Sequence, residues 1–236
     1  MLLISRTIVS LTAALLHTFA LPSMALASLG ADLNGSCIGC DLSGSDLHGR
    51  DYHGTRYVGT DMQNANLRGA DLSGVKWIGV DLTGAHLEGA NLAGASFTGV
   101  DLEGAHLRGV RADGVRMTGA ALTSIDFTGV DTRALLAHCT GCDLQGDDLH
   151  ATDLHGTNLI GSNFATANLE RTNFNGALVC GAAGTPACIE LRGAHVDGAD
   201  FRNARWCDRS ENSCRPATAA ELRAGTHNTL SGALLS

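Results

Sequence analysis

Residues 80–109 read VDLTG AHLEG ANLAG ASFTG VDLEG AHLRG, and this stretch decides the fold. Each five-residue unit opens on a small or β-branched residue. A polar residue follows, then a large apolar one, and the unit closes on Gly. A helix repeats near 3.6 residues and a strand near 2, so a five-residue period fits neither. A fixed internal repeat points to a solenoid instead, in which each turn of chain buries its centre against its neighbours.

Working outward, the same unit runs without a break from Cys40 to Gly129, with central residues every fifth position from Leu42 to Phe127. All but two of these units close on Gly; Asn64 and Ser124 are the exceptions. Upstream, Ala31-Asp32-Leu33-Asn34-Gly35 is one more unit, and the next is one residue short, so the register is expected to reset before Cys40. Residues 131–138, DTRALLAH, break the period and read as a helical turn. The pattern then restarts as Cys139-Thr140-Gly141-Cys142-Asp143-Leu144, which matches Cys37-Ile38-Gly39-Cys40-Asp41-Leu42 as CxGCDL. A second array has centres from Leu144 to Val179, an insertion at 180–190, and further centres at Leu191, Val196, Phe201 and Trp206.

The unit resembles the A(D/N)LxG repeat of the pentapeptide-repeat family. That resemblance implies an all-β fold, a right-handed quadrilateral β-helix with one unit per side and four per coil. It divides the chain into a first array over 28–130, a connecting turn with CxGC over 131–141, a second array over 142–206, and a disulfide loop with a short C-terminal helix over 207–236. With four units per coil, residues twenty apart stack at strand spacing, and both arrays end to end span about 36 Å. Leu42, Met62, Leu82, Leu102 and Leu122 then form one inward column, and Tyr57, Trp77, Phe97 and Met117 another.

The outward columns carry the candidate chemistry. Asp41, Asp61, Asp81 and Asp101 stack on one side, and their carboxylates are expected to bond local backbone N–H groups or to face a partner. Arg56, Lys76, Ser96 and Arg116 stack on a different side, and Arg68, Glu88 and Arg108 alternate in sign along another column. His86 and His106 also fall twenty apart, beside carboxylates. Two imidazoles are zinc or copper donors, but the repeat pattern supplies no third ligand at a useful angle, so no metal or other cofactor is assigned.

The chain has 236 residues, a formal net charge of −8 and only 16 Lys and Arg, which argues against direct nucleic-acid binding. Residues 1–27 read as an export signal, with Arg6 as its one charge, an apolar run and Ala25-Leu26-Ala27 before Ser28. Cleavage there leaves no stable membrane span and implies a periplasmic or secreted protein. The eight Cys fall at irregularities in four close pairs, Cys37/Cys40, Cys139/Cys142, Cys180/Cys188 and Cys207/Cys214. An oxidising compartment favours reading them as structural disulfides, with thiol redox and zinc as competing readings of CxGC. Near the C-terminus, Thr218-Ala219-Ala220-Glu221 is a capping-box pattern for a short helix.

No catalytic set emerges, because the Ser, His and Asp residues sit at repeat positions. The leading expectation is a non-enzymatic exported scaffold with acidic and mixed-charge faces for a protein or envelope partner, able to dimerise by end-to-end stacking. The resemblance implies an alternative: some family members mimic duplex DNA and bind DNA gyrase, protecting it from quinolones. A third reading makes the CxGC motifs, or His86 and His106, a redox or metal-handling device.

Overall fold

The structure, a computed structural model, describes residues 37–180, 188–207, 214–218 and 233. The export signal, the unit at 31–35, the insertion at 181–187 and the capping-box helix lie outside the described residues.

Each side of the solenoid is built from one unit. The central side chain points inward, and the residues before and after it point out. At three of the four corners the chain closes a tight turn, as where Ser45 N–H donates to Leu42 C=O at 3.1 Å. The residue just before the end of that turn takes positive φ, which Gly44 supplies at +61°. Asn64 and Ser124, the two units that lack Gly, adopt φ of 55° and 64° at the same place.

The fourth side is flatter. It forms short strands that pair in parallel: β1 (Cys37–Ile38), β2 (Arg56–Val58), β3 (Lys76–Ile78), β4 (Ser96–Thr98), β5 (Arg116–Thr118) and β6 (Cys139–Thr140). One short helix, α1 (Thr132–Leu135), intervenes before β6, with the Asp131 side chain accepting from Ala134 N–H at its start. A second sheet holds β7 (Leu178–Cys180), β8 (Arg205–Cys207) and β9 (Cys214–Pro216), with β9 antiparallel to β8.

The twenty-residue stacking is direct. Tyr57 lies opposite Trp77, Trp77 opposite Phe97 and Phe97 opposite Met117. Ladder bonds such as Leu42 N–H to Asp61 C=O at 2.7 Å and Asp61 N–H to Cys40 C=O at 2.9 Å join successive coils on every side. The interior is filled by the central residues and the small corner residues. Leu67, Trp77, Leu82, Leu87, Leu144 and Leu159 are each fully buried, and the Trp77 and Phe97 rings stack at 5.0 Å. Lower in the core, Phe174 and Phe201 stack at 4.5 Å.

Two boundaries differ from the sequence reading. Cys37 pairs with Tyr57, so the register that runs on from Cys40 already holds at Cys37, in a central position; the expected reset relative to the unit at 31–35 lies outside the described residues. The second array re-enters the ladder at His138, which bridges Asn158, while Cys139 pairs with Met117. The break between the arrays therefore costs two residues of register, absorbed by α1, and the six-stranded sheet passes through it. The two arrays form one continuous stack, with Asp101, Ala121, Asp143, Asn163 and Glu190 bridged in succession. The insertion before Cys188 likewise leaves the columns aligned, with the separation rising from twenty (Asp143 to Asn163) to twenty-seven (Asn163 to Glu190).

Candidate functional site

The disulfides share one place in this geometry. In the CxGC segments the first Cys is a central residue on the flat side, Gly39 or Gly141 turns the corner at φ of 66° or 64°, and the second Cys fills the small inward position beyond it. Disulfides join Cys37 to Cys40 and Cys139 to Cys142, with Cα atoms 6.0 and 5.6 Å apart. This is the corner that lacks the turn hydrogen bond of the other three. A third disulfide joins Cys180, at the end of β7, to Cys188 beyond the insertion. In the β8–β9 hairpin Cys207 lies opposite Cys214 along the backbone, and their side chains lie outside what the structure describes.

The acidic column forms as bridges between Asp41, Asp61, Asp81 and Asp101. Each carboxylate accepts from the N–H two residues on, at 3.0 Å from Ser43, 2.9 Å from Gln63, 2.9 Å from Thr83 and 2.9 Å from Glu103. This is the local backbone bonding that an Asp at a turn favours, and it fixes one oxygen of each carboxylate. The Ser43 hydroxyl, with its N–H, holds the Asp41 carboxyl below its usual value. Where Asn follows Asp in a column, its amide donates to the carboxylate one coil back, as from Asn66 to Asp46 at 2.8 Å and from Asn91 to Asp71 at 3.0 Å. Alternating Asp and Asn thus replaces a like-charge contact by a hydrogen bond.

The flat side has the opposite character. Its outward residues in β1–β5 include Arg56, Lys76 and Arg116 and no carboxylate. It also carries Ile38 and Ile78, the exposed large hydrophobic residues among those described, at 78% and 37%.

His86 and His106 stack one coil apart, with ring centroids at 4.5 Å and planes 7° apart. Sequence reasoning paired these two but missed Glu88. It lies two residues after His86, so both flank the inward Leu87 and point the same way, and its Oε1 is 3.4 Å from His86 Nδ1. The Arg68 guanidinium lies over both, with Nη2 2.7 Å from His86 Nδ1 and 3.0 Å from Glu88 Oε1. Burial pushes the Glu88 carboxyl up, but its own backbone N–H and the Arg68 guanidinium outweigh this and the net shift is downward. The signal that could have found Glu88 was the outward pairing of the positions on either side of each centre.

Among the described residues no helix is long and apolar enough to cross a membrane.

Comparison with known proteins gives a consistent family signal. A family model described as pentapeptide repeats matches in eight copies over residues 40–76, 78–111, 90–129 and 148–182. Among solved structures, a trypsin-treated variant of QnrB1, a plasmid-mediated fluoroquinolone resistance protein, is 18% identical with a TM-score of 0.47, covering 69% of this chain and 89% of that one. Full-length QnrB1 is 19% identical with a TM-score of 0.43, covering 86% and 92%. HetL, a pentapeptide-repeat protein involved in heterocyst differentiation regulation from the cyanobacterium Nostoc sp. strain PCC 7120, is 25% identical with a TM-score of 0.40, covering 76% and 81%. No curated protein matches at a significant level.

Proposed function

Because this chain belongs to the pentapeptide-repeat family, a fold that generates surface rather than a cleft, we propose that it is a non-enzymatic exported scaffold. Its acidic column docks a basic patch on a protein or envelope partner in the periplasm or outside the cell. The observation that carries this reading is the ordered carboxylate ladder. Asp41, Asp61, Asp81 and Asp101 repeat once per coil, each held by a backbone N–H. Carboxylates fixed in advance lose little side-chain entropy on binding, which favours a preorganised interface. The segregation of Arg56, Lys76 and Arg116 to a different side leaves the column free of internal cations.

The cysteine pairs support the exported location, since disulfides persist in oxidising compartments. The test is the intact mass of the protein from its native cell, with and without thiol alkylation. The expected result is a chain beginning at Ser28, short of two hydrogens per disulfide, that takes up no alkylating agent. A chain that keeps residues 1–27 and carries free thiols overturns the exported scaffold. The same carboxylate ladder then favours the second reading, a duplex-DNA mimic bound to a type II topoisomerase in the cytosol.

A further inference from the structure

Among the described residues outside the carboxylate ladder, one cluster has donor atoms of more than one kind converging on a single point. We propose that His86, Glu88 and His106 form a surface capture site for a divalent transition-metal cation, zinc in the first instance, and that Arg68 is the resident cation the metal displaces.

The argument starts from Arg68. A guanidinium donates and cannot accept, so its Nη2 at 2.7 Å requires His86 Nδ1 to present a lone pair. Glu88 Oε1 receives from the same Nη2 at 3.0 Å. His86 Nδ1 and Glu88 Oε1 are therefore two acceptors held 3.4 Å apart around one positive charge. Two donors of a tetrahedral zinc ion, each at about 2.1 Å, lie roughly 3.4 Å from one another. One edge of a zinc tetrahedron is thus already set. An imidazole nitrogen that presents a lone pair is also what a metal needs.

The third donor comes from the next coil. One ligand atom from each of His86, Glu88 and His106 lies within 4.8 Å of the others. The His106 ring is stacked on His86 in nearly parallel planes, so its lone pair cannot point at an ion in the plane of His86. It reaches the ion by turning about its Cβ–Cγ bond. Two imidazoles and one carboxylate, with water in the fourth position, make the donor set of an open zinc site.

Two further observations favour a cation here. Glu88 Oε2 is shielded from solvent and has no hydrogen-bond partner, so the carboxylate has unused capacity. The Arg68 side chain is 47% exposed, so water is at hand to take up its guanidinium when a metal displaces it. The other member of the column, Arg108, packs its chain towards Gly129, where an added Cβ would meet Arg108 Cγ at 3.4 Å.

This proposal goes beyond the scaffold reading, and its test is independent of the partner. Zinc chloride is titrated against the purified mature chain without an affinity tag, in competition with a chromophoric chelator at pH 7.5. Wild type, Arg68→Ala, His106→Ala and Glu88→Gln are compared, with thermal melting in the absence of metal as the folding control. All three positions lie on the surface, so melting is expected to hold. One zinc per chain is expected, with Arg68→Ala binding several-fold tighter because the competing cation is gone. His106→Ala and Glu88→Gln each weaken binding by roughly tenfold or more, since losing even an outer-shell partner costs that much. Wild-type affinity in His106→Ala, no tightening in Arg68→Ala, or no zinc bound by either wild type or Arg68→Ala overturns the site.

Discussion

A single residue at the corner of a coil has little freedom, and its neighbour one coil away sets how much. Gly84 takes φ of +65°, and a Cβ there would sit 2.6 Å from Asn64 Oδ1. Gly84→Ala therefore meets a backbone penalty, while the exposed Asn64 amide turns aside from the new methyl, and about 1–2 kcal/mol of lost stability is expected by chemical denaturation. Thr166 presents the reverse case. It is a β-branched residue at φ of 59°, in the place where Gly146 stands one coil earlier and Gly193 one coil later. Relief of left-handed strain outweighs the extra chain entropy, so Thr166→Gly is expected to raise stability by about 0.5–1 kcal/mol. At a central position the demand is for apolar volume. Leu87→Asp places a charge in the fully buried stack and is expected to abolish cooperative unfolding of its coil, read as lost near-ultraviolet dichroism from Trp77. These demands were legible in the sequence, since Gly, the exceptional Asn64 and Ser124, and the apolar centre each stood at a fixed place in the period. The strain at Thr166 was not, because the period shows which position turns the corner but not how far the residue there must bend.

At the scale of one element, the junction between the arrays is the place where the ladder is weakest. The turn bonds that Ala85 and Ala105 N–H give to Leu82 and Leu102 C=O are replaced there by a side-chain bond to the next coil: Asp147 Oδ1 accepts Ile125 N–H at 3.3 Å. Asp147 occupies the small inward position where Ala85, Ala105 and Ala167 stand in other coils, and it is 3% exposed. Burial pushes its carboxyl up to about 7; the N–H groups of Ile125 and Ser124 oppose this and the charge of Asp143 adds to it. A carboxyl raised in the folded state stabilises fully below the unfolded pKa near 4, and that contribution is lost as pH rises towards 7. Stability is therefore expected to fall across that window by up to about 1.4 kcal/mol per pH unit. Asp147→Asn is expected to flatten the decline, and urea melts of both forms at pH 5 and pH 8 check it. An equal decline in the variant would falsify this assignment. The sequence showed a break at 131–138 but not its size, because the two residues gained by α1 leave every later column in line. For the same reason Cys139 looked like part of the connecting turn, although it stands in the column of Tyr57 and Met117.

The whole molecule is a set of aligned columns, and its charge follows from them. The carboxyls of Asp41, Asp71 and Asp126 are lowered mainly by the Ser43, Ser73 and Thr128 side chains, and that of Asp200 mainly by Arg202. Groups depressed in this way contribute above the unfolded pKa and stop contributing as pH falls through their folded values. Asp41 and Asp126 are exposed and Asp71 and Asp200 half-buried at the surface, so each effect is small and salt-sensitive. Together with Asp147 they give the solenoid a stability maximum on the acid side of neutrality, to be checked by thermal melts from pH 3 to pH 8. The column arrangement was legible because one period governs every side. The candidate metal cluster was only half legible, because Glu88 and Arg68 belong to a column beside the histidines and meet them only when side chains are placed.

Cys37–Cys40, Cys139–Cys142 and Cys180–Cys188 each close a bond across a corner, between consecutive stretches of the winding chain. None of these three ties one coil to the next, so among the described residues neighbouring coils are joined by backbone bonds, side-chain hydrogen bonds and stacking. Held by its two ends in an optical trap, the molecule opens like a zip drawn tooth by tooth, each tooth releasing roughly 65 Å of chain. The staples ride along intact, and a reducing agent leaves the force needed to pull neighbouring coils apart almost unchanged.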